Sequence, residues 1–190
     1  MITTFLAVTG TQGSGKTVFT KIAKEKYNIS TYRLGKIIVD ECQKRGLELN
    51  SQNMGKIASV LRYDYGNQSI VQRALPEIKK MTETNPELIL IDGVRSFAEL
   101  TFLREELGEV ILVAIIASLR IRKQRVEARK RVDHVNTVDF EEREQRELGF
   151  GLGDVITKAD YYILNDELTK NEFIEQINQL LTKIQRDLKK

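Results

Sequence analysis

The sequence reads as an α/β protein built on a five-stranded parallel sheet with helices on both faces. Three features predict it. Short apolar runs alternate with helical patterns along the whole chain. The longest uninterrupted apolar run, 110–117, has no polar face, as a strand covered on both sides requires. A glycine-rich turn joins the first apolar run to the first helical pattern, where a parallel strand hands over to its crossover helix. At 190 residues the chain has the length of one domain, and 41% apolar with 30% charged residues suits a buried core rather than disorder.

The elements follow in order. Phe5-Leu6-Ala7-Val8 is a buried first strand, and a helix over 16–26 follows the glycine-rich turn. A second strand is read over 29–34 and a helix over 37–44, stopped by Gly46. Asn50-Ser51 offers an N-cap to a helix carrying Met54, Ile57, Ala58 and Leu61 on one side, broken at Gly66. The next helix, 69–82, contains Pro76, which either kinks it or starts a new segment. A third strand over 88–91 ends at Asp92-Gly93, and a helix over 97–107 stops at Gly108. The long apolar run is the fourth strand. A basic helix over 119–132, a charged helix over 139–148, a glycine-rich break at 150–153, a fifth strand at 161–164 and an amphipathic helix over 170–188 complete the chain.

The strongest chemical signal is Gly10-Thr11-Gln12-Gly13-Ser14-Gly15-Lys16-Thr17, which matches G-x-x-x-x-G-K-[ST]. A polyphosphate needs many donors in a small concavity. Gly10, Gly13 and Gly15 tolerate the backbone angles that turn successive N–H groups inward, with Ser14 among them. The following helix adds the partial positive charge of its N-terminus. Lys16 brings a cation to the β- and γ-phosphates, and the Thr17 hydroxyl is a candidate Mg²⁺ ligand.

Leu88-Ile89-Leu90-Ile91-Asp92 places a carboxylate at the end of an apolar strand, the edge of a parallel sheet where ligands bind. Asp92 is read as a second Mg²⁺ residue, with proton acceptance as the alternative and a helix cap as the structural reading. Arg95, three residues on, is close enough to bind an acceptor's phosphate.

Seven cations and one acid fall between Arg120 and Arg131. Arg122, Arg125 and Arg129 share one face, suited to clamping phosphates. The charged helix after it mixes Asp139, Glu141, Glu142, Glu144 and Glu147 with Arg143 and Arg146; such a pattern is read as exposed, or as a mobile cover with hinges at Gly149, Gly151 and Gly153. His134, the single histidine, is read as a polar residue of that cover.

Composition narrows the rest. Cys42 is the single cysteine, so no internal disulfide forms and a reducing, cytoplasmic setting is expected. No apolar run approaches the ~18 residues of a membrane span, and the first residues lack the basic start of a signal peptide. A net charge of +3, with no aromatics interleaving the basic helix, does not point to nucleic acid.

Together the motifs resemble the nucleoside monophosphate kinase group of P-loop proteins, related to adenylate kinase and dephospho-coenzyme A kinase, and more closely an archaeal family of adenylate-kinase-related proteins. The resemblance covers about 6–167. It rests on GTQGSGKT at Gly10, YRLGKIIVDECQKRGLELN at Tyr32, LRYDYG at Leu61, LIDGVRS at Leu90, the Arg125 and Arg129 pair, EEREQRELGFGLG at Glu141 and ADYYILND at Ala159. It implies a three-layer P-loop NTPase sandwich with strand order 2-3-1-4-5. A single domain would have its core at 1–33, 86–131 and 150–190, a helical acceptor insert at about 34–85 and a short lid at about 132–149. It implies ATP and Mg²⁺, and a small nucleotide acceptor held by Arg62 and Arg95. Arg125 would lie near the adenine or the phosphates, Asn165 beside the donor base, and Arg129, Arg143 and Arg146 around the transferred group. Two departures stand out. Adenylate kinases carry D-G-[FY]-P-R, whereas Asp92-Gly93-Val94-Arg95 lacks the proline and brings the arginine one residue earlier. Close relatives carry an acid after the glycine of the acceptor insert, whereas Lys36 follows Gly35 here and is counted with the substrate-binding residues. Two functions stay open: a small-molecule kinase, and a regulatory or RNA-linked NTPase with slow hydrolysis.

Overall fold

The computed structural model describes residues 3–84, 87–133 and 139–188, without the side chains of 129–133 and 139. The chain runs β1 (Thr4–Thr9), α1 (Lys16–Tyr27), β2 (Ser30–Arg33), α2 (Gly35–Lys44), α3 (Ser51–Tyr65), α4 (Ser69–Thr84) and β3 (Leu88–Asp92). It continues through α5 (Phe97–Leu107), β4 (Val110–Ile116), α6 (Leu119–Asp133), α7 (Asp139–Gly149), α8 (Leu152–Ile156), β5 (Tyr161–Leu164) and α9 (Lys170–Asp187). Every strand pair is parallel and the order is β2-β3-β1-β4-β5, as the resemblance implies.

Two cores follow from strand alternation. Phe5 and Ala7 of β1, Ile89 and Ile91 of β3, and Val110 and Leu112 of β4 pack under α2, α3, α4, α5 and α8. Leu6, Val8, Leu88, Leu90, Val113 and Ile115 face the other way, against Phe19 and Ala23 of α1 and Phe173, Ile177, Leu181 and Ile184 of α9. The central strands are therefore apolar on both faces, which is why they read as unbroken runs.

Helix ends obey local chemistry. Asn50 caps α3, its side chain accepting from Asn53 N at 2.9 Å. Ser96 and Glu99 form a reciprocal capping box on α5, and Thr169 and Glu172 do the same on α9. Pro76 lies inside α4, which continues through it. The ring removes the N–H that would bond the carbonyl of Gln72, but both residues are exposed, so water can satisfy that carbonyl. The glycine-rich break at 150–153 contains the start of the short α8, with Gly151 in the left-handed region at φ 93°.

The reading of α7 as a solvent-facing helix is corrected. Phe140 and Glu147 are buried, and Glu144 is engaged with α6. Positions 140, 144 and 147 recur at i, i+4 and i+7, so they share one face, and that face is turned inward.

Candidate functional site

The loop after β1 lies at the carboxyl edge of the sheet, between the strands that flank the change in strand order. Thr9 Oγ1 donates to the carbonyl of Val94 at 2.7 Å, and Gly93 N donates to the carbonyl of Val8 at 3.1 Å. These bonds tie the end of β1 to the turn after Asp92, so loop and carboxylate are fixed relative to each other.

The loop carries positive φ at Gly10, Gly13 and Gly15. At Gly15, φ is 123° and a Cβ would stand 2.7 Å from both Asn165 Nδ2 and Phe173 Cζ. At Gly13, a Cβ would meet the carbonyl oxygen of Arg122 at 3.0 Å. The glycines thus serve both the turn and the close approach of α6 and α9 behind it. Two buried polar atoms of the loop, Ser14 Oγ and Gln12 Oε1, have no hydrogen-bond partner within the protein. Lys16 Nζ donates to the carbonyls of Gly10 and Thr11, the latter at 3.0 Å. A curled glycine-rich strand of amides, a lysine folded back onto it and a helix N-terminus behind it fit a polyphosphate.

A cavity of about 540 Å³ opens in front of the loop. Gly13, Gly15, Lys16 and Thr17 form one end. Arg33, Gly35 and Ile38, with Asn50, Met54, Gly55 and Ala58 of the α3 region, form the other. Asp92 and Arg95 line it from the sheet edge, and Arg143, Arg146 and Glu147 from α7. Five cations and two carboxylates therefore share the lining, so the excess of positive charge is concentrated here.

Burial pushes the Lys16 ammonium down to about 8 from an ordinary 10.5. Glu147 opposes the shift most, Asp92 opposes it less, and Arg95 and Arg143 add to it. Burial likewise pushes the Arg95 guanidinium below its ordinary value, again opposed by Glu147. Glu147 is held below the usual carboxylate range: burial alone would raise it, but Arg95, Arg143 and Lys16 reverse the sign. Its Oε1 accepts from Arg143 Nε at 2.8 Å and pairs with Arg95 Nη2 at 2.9 Å.

The expected residues divide by placement. Gly13, Gly15, Lys16, Thr17, Asp92, Arg95, Arg143 and Arg146 converge on the cavity. Arg62 does not line it: the guanidinium is buried, Nη2 donates to Glu99 Oε1 at 2.6 Å, and its carbon lies 4.3 Å from the centre of the Phe150 ring. Glu99 is itself fully buried and accepts from Arg95 N at 2.6 Å, so Arg62 braces the turn that carries Arg95. Lys36 also lies off the lining, exposed and paired with Asp40 at 2.8 Å and Glu77 at 2.9 Å; it bridges α2 and α4. Asn165 sits behind the loop, with Nδ2 donating to the carbonyl of Ser14 at 2.7 Å and Oδ1 accepting from Arg125 Nη2 at 3.1 Å. Asn165 and Arg125 therefore prop the loop from the residue after β5 and from α6. The side chain of Arg129, and His134, lie outside the described residues.

Glu147, which the residue pattern gave no role at the site, lines the cavity. The expectation that Arg122 belongs to a phosphate-clamping face is corrected: it is buried and paired within the protein, off the lining. Arg122 forms a two-bond pair with Glu144 at 2.7 and 2.8 Å and donates to the carbonyl of Gln12 at 3.3 Å, joining α7 to the loop. Gly55 is an additional constraint. A Cβ there would stand 2.6 Å from Arg146 Nη1, so the missing side chain lets the Arg146 guanidinium lie against α3.

The parallel sheet order, the glycine-rich loop and the carboxylate one strand over define a P-loop domain with the kinase fold. A family profile described as an AAA domain matches residues 6–149. The chain belongs to the archaeal UPF0200 family: it is 39% identical over 180 residues to the UPF0200 protein of Methanococcus vannielii, covering 94% of this chain and 95% of that one. Among solved structures it is similar to dephospho-CoA kinase from Campylobacter jejuni, with a TM-score of 0.61 at 14% identity over 96% of this chain and 98% of that one. It is also similar to shikimate kinase from Bacteroides thetaiotaomicron, with a TM-score of 0.56 at 16% identity over 96% and 98% of the two chains. At those identities the likeness concerns the fold. No described helix is long and apolar enough to cross a membrane.

Proposed function

We propose that this protein is an ATP-dependent phosphotransferase that moves the γ-phosphoryl group to a small, phosphate-bearing acceptor, a nucleoside monophosphate or a related nucleotide. The observation that carries the reading is the shared cavity. One space is lined by the phosphate loop at one end, by α2 and α3 at the other, and by arginines from two further elements between them. An NTPase switch needs the first end; a second wall facing it is what an acceptor requires.

In-line transfer asks the protein for position and for cations around charge that shifts between oxygens. The loop amides and Lys16 hold the donor phosphates. Thr17 and Asp92, both on the lining, would hold Mg²⁺, which neutralises phosphate charge when bound. Two protein oxygens suit an ion that keeps phosphate and water as its remaining ligands. Arg95 is assigned the acceptor's phosphate, and Arg143 and Arg146 the transferred group. By resemblance alone, Arg129 joins them. Residues 34–85 supply the acceptor wall in this reading and 132–149 the lid, with α7 lying over the cavity so that water is kept from the donor. The apolar patch of Ile38, Met54 and Ala58 suits the flat face of a base or another non-polar portion of the acceptor.

Titration of Mg²⁺-ATP into the wild-type protein and Lys16→Ala tests the donor half. The wild type should bind and the variant should lose most of the affinity while keeping its far-ultraviolet spectrum, because the hydrogen bonds of Lys16 in the free protein go to loop carbonyls rather than to a helix or strand. Equal affinity in both would place the nucleotide elsewhere.

A further inference from the structure

Glu147 is a carboxylate in a place built for anions. It comes from a charged helix, yet it is 3% exposed and stands at a cavity wall where Lys16, Arg95 and Arg143 converge. Its two short contacts use the same atom: Arg95 Nη2 and Arg143 Nε both meet Oε1, at 2.9 and 2.8 Å. Arg95 arrives from the turn after β3, whereas Arg143 lies one turn earlier on Glu147's own helix, so one oxygen of α7 gathers a guanidinium of its own helix and one from the sheet edge. Without it, two guanidiniums would face each other beside a lysine in a half-open cavity. Burial depresses the protonation equilibria of both Lys16 and Arg95; Arg95 and Arg143 add to the depression of Lys16, and Arg143 adds to that of Arg95.

We infer that Glu147 is a positioning residue for phosphoryl transfer: it pins Arg95 and Arg143 as one cation pair beside Lys16, and its charge stands in for part of the ligand's until phosphates enter. The inference rests on the phosphotransferase reading. It has two separable consequences. The pinned arginines are aligned for transfer, so loss of the pin lowers turnover. The same carboxylate repels an incoming phosphate, so loss of its charge tightens anion binding. A carboxylate that merely stabilises the fold would produce neither.

The test uses Glu147→Gln, which keeps the shape and an acceptor oxygen while removing the charge, and Glu147→Asp, which keeps the charge and withdraws it by one methylene. Inorganic phosphate and ADP are titrated calorimetrically into each folded protein; turnover is measured with Mg²⁺-ATP and the acceptor. Glu147→Gln should bind inorganic phosphate about tenfold more tightly, bind ADP no more weakly than the wild type, and turn over roughly 100-fold more slowly. Glu147→Asp should keep wild-type phosphate affinity and still lose turnover. Phosphate affinity that is unchanged or weaker in Glu147→Gln overturns the inference, as does full turnover in Glu147→Asp. If the wild type binds ADP but phosphorylates no acceptor, the phosphotransferase reading fails by itself, and the phosphate titrations still decide whether Glu147 acts as an internal counter-anion.

Discussion

Above pH 8, ATP binding should consume protons. Lys16 Nζ is held on the carbonyls of Gly10 and Thr11, and burial depresses its pKa to about 8. Triphosphate oxygens around Nζ supply far more negative charge than Glu147 and Asp92 do in the free protein, and return the pKa to its ordinary 10.5 or above. With those two values the uptake is roughly 0.1 proton per ATP at pH 7, 0.5 at pH 8 and 0.9 at pH 9. Affinity must fall accordingly, approaching about tenfold per pH unit between 8 and 10.5, because binding then has to recruit a proton. The free protein shows the opposite slope on this group's account. Its folded pKa is below its unfolded one, so the unfolded chain holds more protons between pH 8 and 10.5 and stability rises with pH across that window. Calorimetric titration of ATP in buffers of different ionisation enthalpy, at pH 7, 8 and 9, reads the uptake directly. Uptake that stays near zero at pH 9 would refute the placement of the phosphates on Lys16.

Other outcomes follow from single contacts. Glu99→Ala leaves the Arg62 guanidinium buried without its carboxylate and should cost about 3–5 kcal/mol, read as a fall in denaturation midpoint at unchanged slope. Gly55→Ala should lower turnover several-fold while altering stability by no more than about 1 kcal/mol, since the atoms in the way belong to the flexible end of Arg146, assigned to the transferred group, and alanine favours the helix. Arg95→Ala should raise the KM of the acceptor far more than that of ATP; equal effects would argue against its assigned role. Asp92→Asn should reduce Mg²⁺-dependent turnover by at least about 100-fold, and retention of most activity would make the carboxylate a helix cap.

The parts of this molecule that sequence makes legible are those whose cause is local. The phosphate loop is eight consecutive residues, and Asp92 is the end of one apolar run, so both are visible without knowing the fold. The three central strands announce themselves because burial on two faces leaves no alternation, whereas the edge strands β2 and β5 each bury one residue of four. Arg62 reads as a ligand for phosphate because its partner, Glu99, lies 37 residues away and serves at once as a helix cap. Lys36 is turned away from the cavity by Asp40 on its own helix and Glu77 on α4, a contact set by helix packing. Asn165 reaches the loop across 151 residues of chain, which motif spacing does not encode. Glu147 is the instructive case. Its spacing from Phe140 and Glu144 was available, but a charged residue at helical spacing is ordinarily a solvated one. The cations gathered from the turn after β3 and from the loop, with Arg143 of its own helix, make an inward carboxylate favourable.

The central claim is that the cavity transfers a phosphoryl group rather than only binding a nucleotide. The most direct measurement incubates the protein with Mg²⁺-ATP and, separately, each ribo- and deoxynucleoside monophosphate, dephospho-coenzyme A, or no acceptor, and resolves all products chromatographically with Lys16→Ala alongside. The account predicts one acceptor phosphorylated in equal amount to the ADP formed, and neither product with Lys16→Ala. ADP formed without any phosphorylated acceptor would contradict it and leave a nucleotide hydrolase whose second cavity wall serves another purpose.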